Sequence, residues 1–255
     1  MNLVLDFTRE CNSHCRSCQI WNLYTKPILE IEYIEKLLKQ IESMDVIYVT
    51  GGEPYINDNI IEIAKLVKKY HPSARWKGAT NCLDPKTFDR IKAIVDMGLK
   101  VEVDVSIEGD EQTHDADRGV IGNYRKMVDL VKRLRENNIK VSALSTTQEG
   151  VAEAKRLDLN VYYSKRAKGA RYSTLYYCKD VYIDNCPGAK ESITCDPYGN
   201  IWPCSDYDNH TMIIGNIKEQ DLKDMEFKRV ISLIDFGYCK PCSQYCWSKD
   251  GLRPQ

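Results

Sequence analysis

The sequence has almost no imbalance of charge: 36 Lys and Arg stand against 37 Asp and Glu in 255 residues, a net charge of −1. That excludes a global basic field of the kind that draws nucleic acid, and equally an acidic field for a cationic partner. Long apolar runs are also missing. Met1–Leu5 is apolar, but Asp6 ends the run far short of a signal-peptide core or a membrane helix. The chain therefore reads as cytoplasmic, with no membrane partner. Internal repeats and low-complexity tracts are absent too, which excludes solenoids and repeat arrays. What stands out instead is cysteine. Eleven of them in a chain read as cytoplasmic point to metal rather than to disulfides, which a reducing cytosol disfavours. They fall into two groups near opposite ends of a chain long enough for one large α/β domain and a small appendage.

Hydrophobic periodicity predicts alternating strands and helices. Leu3–Thr8 reads as a strand, followed by a cysteine loop and a helix over about Ile31–Ile41, with Ile31, Ile34, Leu37, Leu38 and Ile41 on one face. Val46–Thr50 is the second strand and Trp76–Thr80 the third, with a helix between them. Pro85 is placed in the first turn of the next helix. Val101–Ile107 is the fourth strand, followed by a polar loop and a helix carrying Tyr124, Met127, Val128, Val131 and Leu134. Val141–Thr147 and Leu159–Tyr163 complete six βα units, and such units argue for a parallel sheet with helices outside it. Periodicity alone leaves a barrel and a doubly wound sheet both open.

After about Ser164 the pattern changes. A stretch with Lys165, Arg166, Lys168 and Arg171 is either a solvated connector or a clamp for phosphate or carboxylate. Two short strand-like runs flank the turn Pro197-Tyr198-Gly199-Asn200, a helix is expected near Gln220–Leu233, and a cysteine-dense tail follows.

Cys11, Cys15 and Cys18 lie within eight residues immediately after the first strand. Thiolates are the usual ligands of iron–sulfur clusters, and three of them on a four-iron cube leave one iron open to a small molecule. A zinc knuckle completed by His14 is the alternative. Cys-x3-Cys-x2-Cys after the first strand, with Gly51-Gly52-Glu53-Pro54 after the second, resembles the radical SAM superfamily over nearly the whole chain. The resemblance implies a partial (β/α)6 barrel at residues 1–165. It also implies a [4Fe-4S] cluster on the three cysteines, and S-adenosylmethionine (SAM) cleaved by an electron from that cluster to methionine and a 5′-deoxyadenosyl radical. Gly51 and Gly52, lacking Cβ atoms, would let backbone carbonyls meet the SAM ammonium.

The segment Ser106-Ile107-Glu108-Gly109, then His114-Asp115, then Arg118-Gly119 resembles the end of the fourth strand in relatives with SPASM or twitch domains. By that resemblance Ser106 and Glu108 would contact the ribose, and Arg118 the carboxylate side of the ligand. Asn81 matches a Thr-Asn pair of the same subgroup, and is equally readable as a polar turn residue. Glu108 departs from the commoner aspartate. Ser17 stands where an aromatic residue often precedes the third cysteine, so Trp21 is a candidate cover for the cluster.

In the second group, Cys186, Gly199, Cys204, Cys239, Cys242 and Cys246 resemble a twitch domain, implying a small α+β unit at residues 166–255 with one auxiliary [4Fe-4S] cluster. The match gives Cys186, Cys204, Cys239 and Cys242 as ligands, with Cys246 as a substitute for Cys242. Cys195 is left as a packed thiol or a hydrogen-atom donor, and a structural zinc ribbon stays open. Gly199 would supply the hairpin turn.

Together these features imply a radical SAM oxidoreductase or maturase that abstracts hydrogen from a peptide or protein residue. The alternatives are a dehydrogenase of a small polyol- or aminocyclitol-like molecule, and a non-catalytic iron–sulfur or zinc protein. A flavodoxin- or ferredoxin-type protein would donate the electrons. Asp206 is a candidate proton acceptor, and Ser145, Tyr163 and Arg166 are expected to point towards the barrel mouth.

Overall fold

The computed structural model describes residues 1–163, 189–203 and 213–235. Six strands in sequence order form a parallel sheet: β1 (Asn2–Thr8), β2 (Val46–Gly51), β3 (Arg75–Thr80), β4 (Lys100–Ser106), β5 (Lys140–Ser145) and β6 (Val161–Tyr163). The crossovers are α1 (Ile31–Gln40), α2 (Asn59–Tyr70), α3 (Thr87–Asp96), α5 (Asn123–Glu136) and α6 (Gln148–Arg156), with a further helix α4 (Glu111–Arg118) ahead of α5. On the other side of β1 the sheet continues through β7 (Ser192–Cys195), β8 (Asn200–Trp202) and β9 (Gly215–Asn216), before α7 (Phe227–Asp235). The fold is the expected α/β one, and β7 pairs with β1 in parallel before the chain turns back antiparallel at Gly199 (φ +89°).

The two faces of the sheet differ in chemistry. Leu3, Leu5, Phe7, Ile47, Val49, Val103 and Val105 alternate onto the helix side, where they are fully buried against Ile34, Leu37, Leu38, Ile60, Ile63, Ile91 and Met127. Each such side chain contributes roughly 1.5–3 kcal/mol of burial. The opposite, concave face is largely polar among the described residues, with a small apolar group of Val4, Tyr48 and Ala79.

Several local expectations change. Residues 111–118 form a helix where a polar loop was expected. It has no apolar stripe to announce it, but Asp110 caps it by accepting from the Thr113 amide (2.9 Å), and Gly119 ends it in the left-handed region (φ +67°). Pro85 lies before α3, which starts at Thr87. The helix expected near Gln220–Leu233 is α7, starting later, after a short 3-10 turn at Leu222–Asp224.

Candidate active site

At the C-terminal ends of the strands, β1 runs into the cysteine loop, and the loop is stitched to two neighbours. Glu53 N donates to Glu10 O (2.7 Å) and Gly52 N to Thr8 O (2.8 Å), tying it to the end of β2. His14 N donates to Arg118 O (3.1 Å), Arg16 N to Asp117 O (2.7 Å), and Ser13 Oγ also to Arg118 O (3.0 Å). The last carbonyls of α4, which have no acceptor role within the helix, thus hold the loop. Gly119 allows this close approach, since a Cβ there would sit 2.6 Å from His14 O.

The glycines of the second motif also have a packing role that was not expected. A Cβ on Gly52 would lie 2.1 Å from Glu10 O and 3.1 Å from the Cys11 Cβ; one on Gly51 (φ +141°) would lie 2.4 Å from Thr8 O. Both positions are glycine because the cysteine loop crosses directly over them.

The predicted residues come together. Cys11, Cys15, Cys18, Gly51, Gly52, Glu53, Pro54, Asn81, Ser106, Glu108 and Arg118 line one cleft, with Ile20, Tyr48, Thr50, Ala79, Thr80, Leu144 and Thr146 completing it. All three thiols are free. Ser13 Oγ lies 3.1 Å from Cys15 Sγ, and Asn81 Nδ2 approaches Cys11 Sγ at 3.9 Å. Burial pushes the Cys11 thiol up to about 11 despite the nearby Ser13 amide, so metal binding there must release a proton. Among the described residues no three His, Cys, Asp or Glu side chains converge as a single ion requires, and His14 is exposed with its ring edge against Trp21. Trp21 is not part of the cleft lining; its indole donates to Cys15 O (3.1 Å), and Ile20 lines the cleft instead.

Glu53 is a hub. It is 1% exposed, and its carboxylate accepts from the Asn81 amide (2.5 Å) and the Tyr55 amide (3.2 Å). Burial nevertheless pushes it up to about 7. Asn81 in turn donates to Asn12 Oδ1 (2.8 Å) and accepts through its backbone oxygen from Asn123 Nδ2 (2.8 Å). His114 continues the chain: Nδ1 accepts from Glu108 N (3.2 Å), so the proton sits on Nε2, facing Asn123 Oδ1 (3.2 Å). Burial, then the Arg118 charge, lowers His114 to about 4. Glu108 Oε2 accepts from both the amide (2.9 Å) and the hydroxyl (2.8 Å) of Thr146.

Arg118 is 7% exposed, and its Nε has no hydrogen-bond partner among the described residues. A buried guanidinium beside Cys15, Glu108 and Cys11, with one donor unused, three free thiols around the same cleft and a carboxylate held open to it, fits a thiolate-bound cluster and an anionic ligand.

Ser13, Thr146, Asn123 and Ile20 were not singled out from sequence. Ser145 and Tyr163 were, on the wrong register: Ser145 is buried with its hydroxyl on Thr147 O (3.0 Å), while Leu144 and Thr146 line the cleft and Tyr162 places its ring under Lys77. Cys195 is fully buried in the helix-side core, a packed thiol. Cys186, Cys204, Asp206, Cys239, Cys242, Cys246 and Arg166 lie outside the described residues.

Comparison with known proteins agrees with this geometry. The model of the radical SAM superfamily matches residues 5–159, and that of an iron–sulfur cluster-binding domain, SPASM, matches residues 186–247. GTP 3′,8-cyclase of Clostridium perfringens is 23% identical over 163 residues, 62% of this chain and 50% of that protein. The sporulation killing factor maturation protein SkfB of Bacillus subtilis is 24% identical over 159 residues, 60% of this chain and 37% of that protein. The chain thus spans about half or less of the length of these curated relatives. A structure of anSMEcpe with AdoMet and the Cp18Cys peptide bound superposes with a TM-score of 0.69 at 16% identity, covering 100% of this chain and 91% of that one. No helix among the described residues is long and apolar enough to cross a membrane. A family match over more than half of the chain, on a fold whose cleft gathers the expected residues, makes this protein a radical SAM enzyme of the radical SAM superfamily with a C-terminal SPASM-type domain, using [4Fe-4S] clusters and SAM.

Proposed function

We propose that this enzyme oxidises or otherwise modifies a residue of a peptide or protein, with Cys11, Cys15 and Cys18 holding the cluster that serves SAM. A reduced cluster with SAM bound supplies homolytic cleavage to methionine and a 5′-deoxyadenosyl radical. The protein's share is to bind, orient and exclude water. The backbone of Gly51, Gly52 and Glu53, held by Thr8 O and Glu10 O and followed by Pro54, offers an edge for the methionine ammonium, with Asn81 beside it on the Glu53 carboxylate. Ser106 and Glu108 take the ribose hydroxyls, Glu108 being pre-oriented by Thr146. The unused Nε–H of Arg118 is available to the carboxylate.

In this reading Cys186, Cys204, Cys239 and Cys242 would hold an auxiliary [4Fe-4S] cluster, which would supply an acceptor for the electron left on the substrate once its hydrogen atom is gone, and Asp206 would take the accompanying proton. A flavodoxin- or ferredoxin-type donor supplies the first electron. The boundary between the barrel and the auxiliary unit is placed near residue 165. The peptide reading is supported by the kind of relatives this chain has: structures of anSMEcpe with the Cp18Cys peptide and of SuiB with precursor peptide SuiA share its fold, and SkfB is a maturation protein, while the fold shared with BtrN in complex with 2-DOIA supports the small-molecule alternative. The test is anaerobic reconstitution and reduction with a deuterated candidate peptide. Deuterium should appear in 5′-deoxyadenosine. Intact clusters with no SAM cleavage would refute the enzymatic reading, and cleavage with no deuterium transfer from any peptide would refute the substrate class.

A further inference from the structure

A second cavity, of about 250 Å³, opens at the N-terminal ends of the same strands. Tyr48 lines both it and the SAM-side cleft, so the two spaces meet at that side chain. Its charged lining is Arg75, Lys77, Lys140 and Glu102. Lys77 is 9% exposed, lies 3.1 Å from Asp104 Oδ2 and sits 4.1 Å from the centre of the Tyr162 ring. Arg75 and Lys140 share the single carboxylate of Glu102 (3.6 and 2.9 Å). Three cations thus face two carboxylates among the described residues, an excess of one positive charge.

The surrounding face is polar and incompletely satisfied. Asn2 Oδ1, Ser192 Oγ and Thr194 Oγ1 are buried without a hydrogen-bond partner among the described residues, whereas Asp104 is met by Lys77 and by the Tyr48 hydroxyl. Register puts Asn2 beside Ser192 and Val4 beside Thr194, and Val4 packs with Tyr48, so these groups share the concave face. Leaving a buried polar atom unmet costs about 1–3 kcal/mol. Asn2 lines the cavity itself, Ser192 and Thr194 lie beside it on the same face, and three of its lining side chains are cationic, so the cavity suits a polar, anionic guest.

We propose that this cavity receives a carboxylate of the substrate, so that the preferred peptide carries an acidic group within two residues of the one attacked. The inference rests on the peptide reading above. One excess positive charge matches a monoanion better than a phosphate ester. Lys77 and Ala79 are two residues apart on β3 and line the lower cavity and the upper cleft respectively, a rise of about 6.6 Å. An extended peptide covers that distance in about two residues.

The experiment is anaerobic titration calorimetry of the reconstituted, SAM-loaded enzyme with acetyl-Asp-Ala-amide, its Asn counterpart and its phosphoserine counterpart. The Asp peptide should bind about tenfold tighter than the Asn peptide, one charge-assisted contact's worth, and Lys77→Gln should abolish that preference. Because Lys77→Gln strips the partner from buried Asp104, Lys140→Gln at the exposed rim is the second variant, and should reduce the preference severalfold. Equal binding of Asp and Asn peptides, no binding of either, or a preference unchanged in both variants would overturn the proposal. Tightest binding of the phosphoserine peptide would replace carboxylate by phosphate and overturn it as stated. Production of 5′-deoxyadenosine by the same preparation separates this failure from failure of the catalytic reading.

Discussion

At the C-terminal ends of the strands Glu53, Asn81, Glu108 and His114 each meet fixed partners within the protein, whereas one layer lower on the same concave face Asn2, Ser192 and Thr194 keep buried polar atoms without one among the described residues. The upper layer is preorganised: its hydrogen bonds run from the cysteine loop through Asn81 and Asn123 to His114 and Glu108. The lower layer pairs its charges, Lys77 with Asp104 and both Arg75 and Lys140 with Glu102, but leaves those three neutral polar atoms unmet. The difference suggests that the upper layer holds the common cofactor chemistry and that the lower layer discriminates among substrates.

The harshest way to break the upper layer is to remove its thiols. Replacing Cys11, Cys15 and Cys18 together by alanine should abolish SAM cleavage, and iron should fall from about eight to about four per chain, one cube of two. Iron near zero would show that the auxiliary cluster does not assemble independently. Next in size is Gly52→Ala. Its Cβ would lie 2.1 Å from Glu10 O, a backbone atom that cannot swing aside, so a loss of about 3 kcal/mol in urea unfolding is expected. Gly122→Ala, with open space around the Cβ at φ +81°, should cost only about 1 kcal/mol. Equal losses would mean that the crossing of the cysteine loop over Gly52 is not tight.

His114 gives the upper layer a pH signature. Its folded value, lowered to about 4 by burial and then by Arg118, lies below the ordinary 6.5. Between those limits the unfolded chain binds a proton that the folded one refuses. Stability from this group is therefore complete above pH 6.5 and is lost as pH falls towards 4, about 3 kcal/mol in all. Glu53, raised to about 7 by burial, works the other way and adds stability as pH falls from 7. The difference between wild type and His114→Asn isolates the histidine. Unfolding free energies whose pH slopes coincide between pH 4 and 6.5 would rule the assignment out.

Much of the upper layer was legible because its chemistry lies in short contiguous runs: Cys11–Cys18, Gly51–Pro54 and Ser106–Arg118 all reach one cleft. The alternation of strands and helices was legible from apolar spacing. Register was not. Strand side chains alternate with period two, so an error of one residue exchanges Ser145 for Leu144 and Thr146, and Tyr163 for Tyr162. Nor was α4, whose residues Glu111–Arg118 are polar apart from Ala116 and are held in a helix by Asp110 and Gly119 rather than by an apolar face. The lower layer escaped for a third reason. Asn2, Tyr48, Lys77, Asp104 and Ser192 are far apart in sequence, each is ordinary in its own strand, and it takes the pairing of β1 with β7 and the run of parallel pairings from β1 to β4 to gather them.

The finest comparison lies within one dipeptide. Thr146 and Thr147 both bond Glu108, but Thr146 holds its carboxylate, which faces the cleft, and Thr147 its backbone carbonyl (2.8 Å) while capping α6 through the Gly150 amide (2.9 Å). Thr147→Ala removes a cap and should cost about 1 kcal/mol of stability, with the KM for SAM in the uncoupled cleavage assay unchanged. Thr146→Ala leaves its own amide on Glu108 but deletes the hydroxyl, so the melting temperature should barely move. The KM should instead rise about fivefold, the equivalent of about 1 kcal/mol. If both variants lose stability alike and neither shifts KM, Glu108 is a structural strut between β4 and α6, and its place against the ribose must be given up.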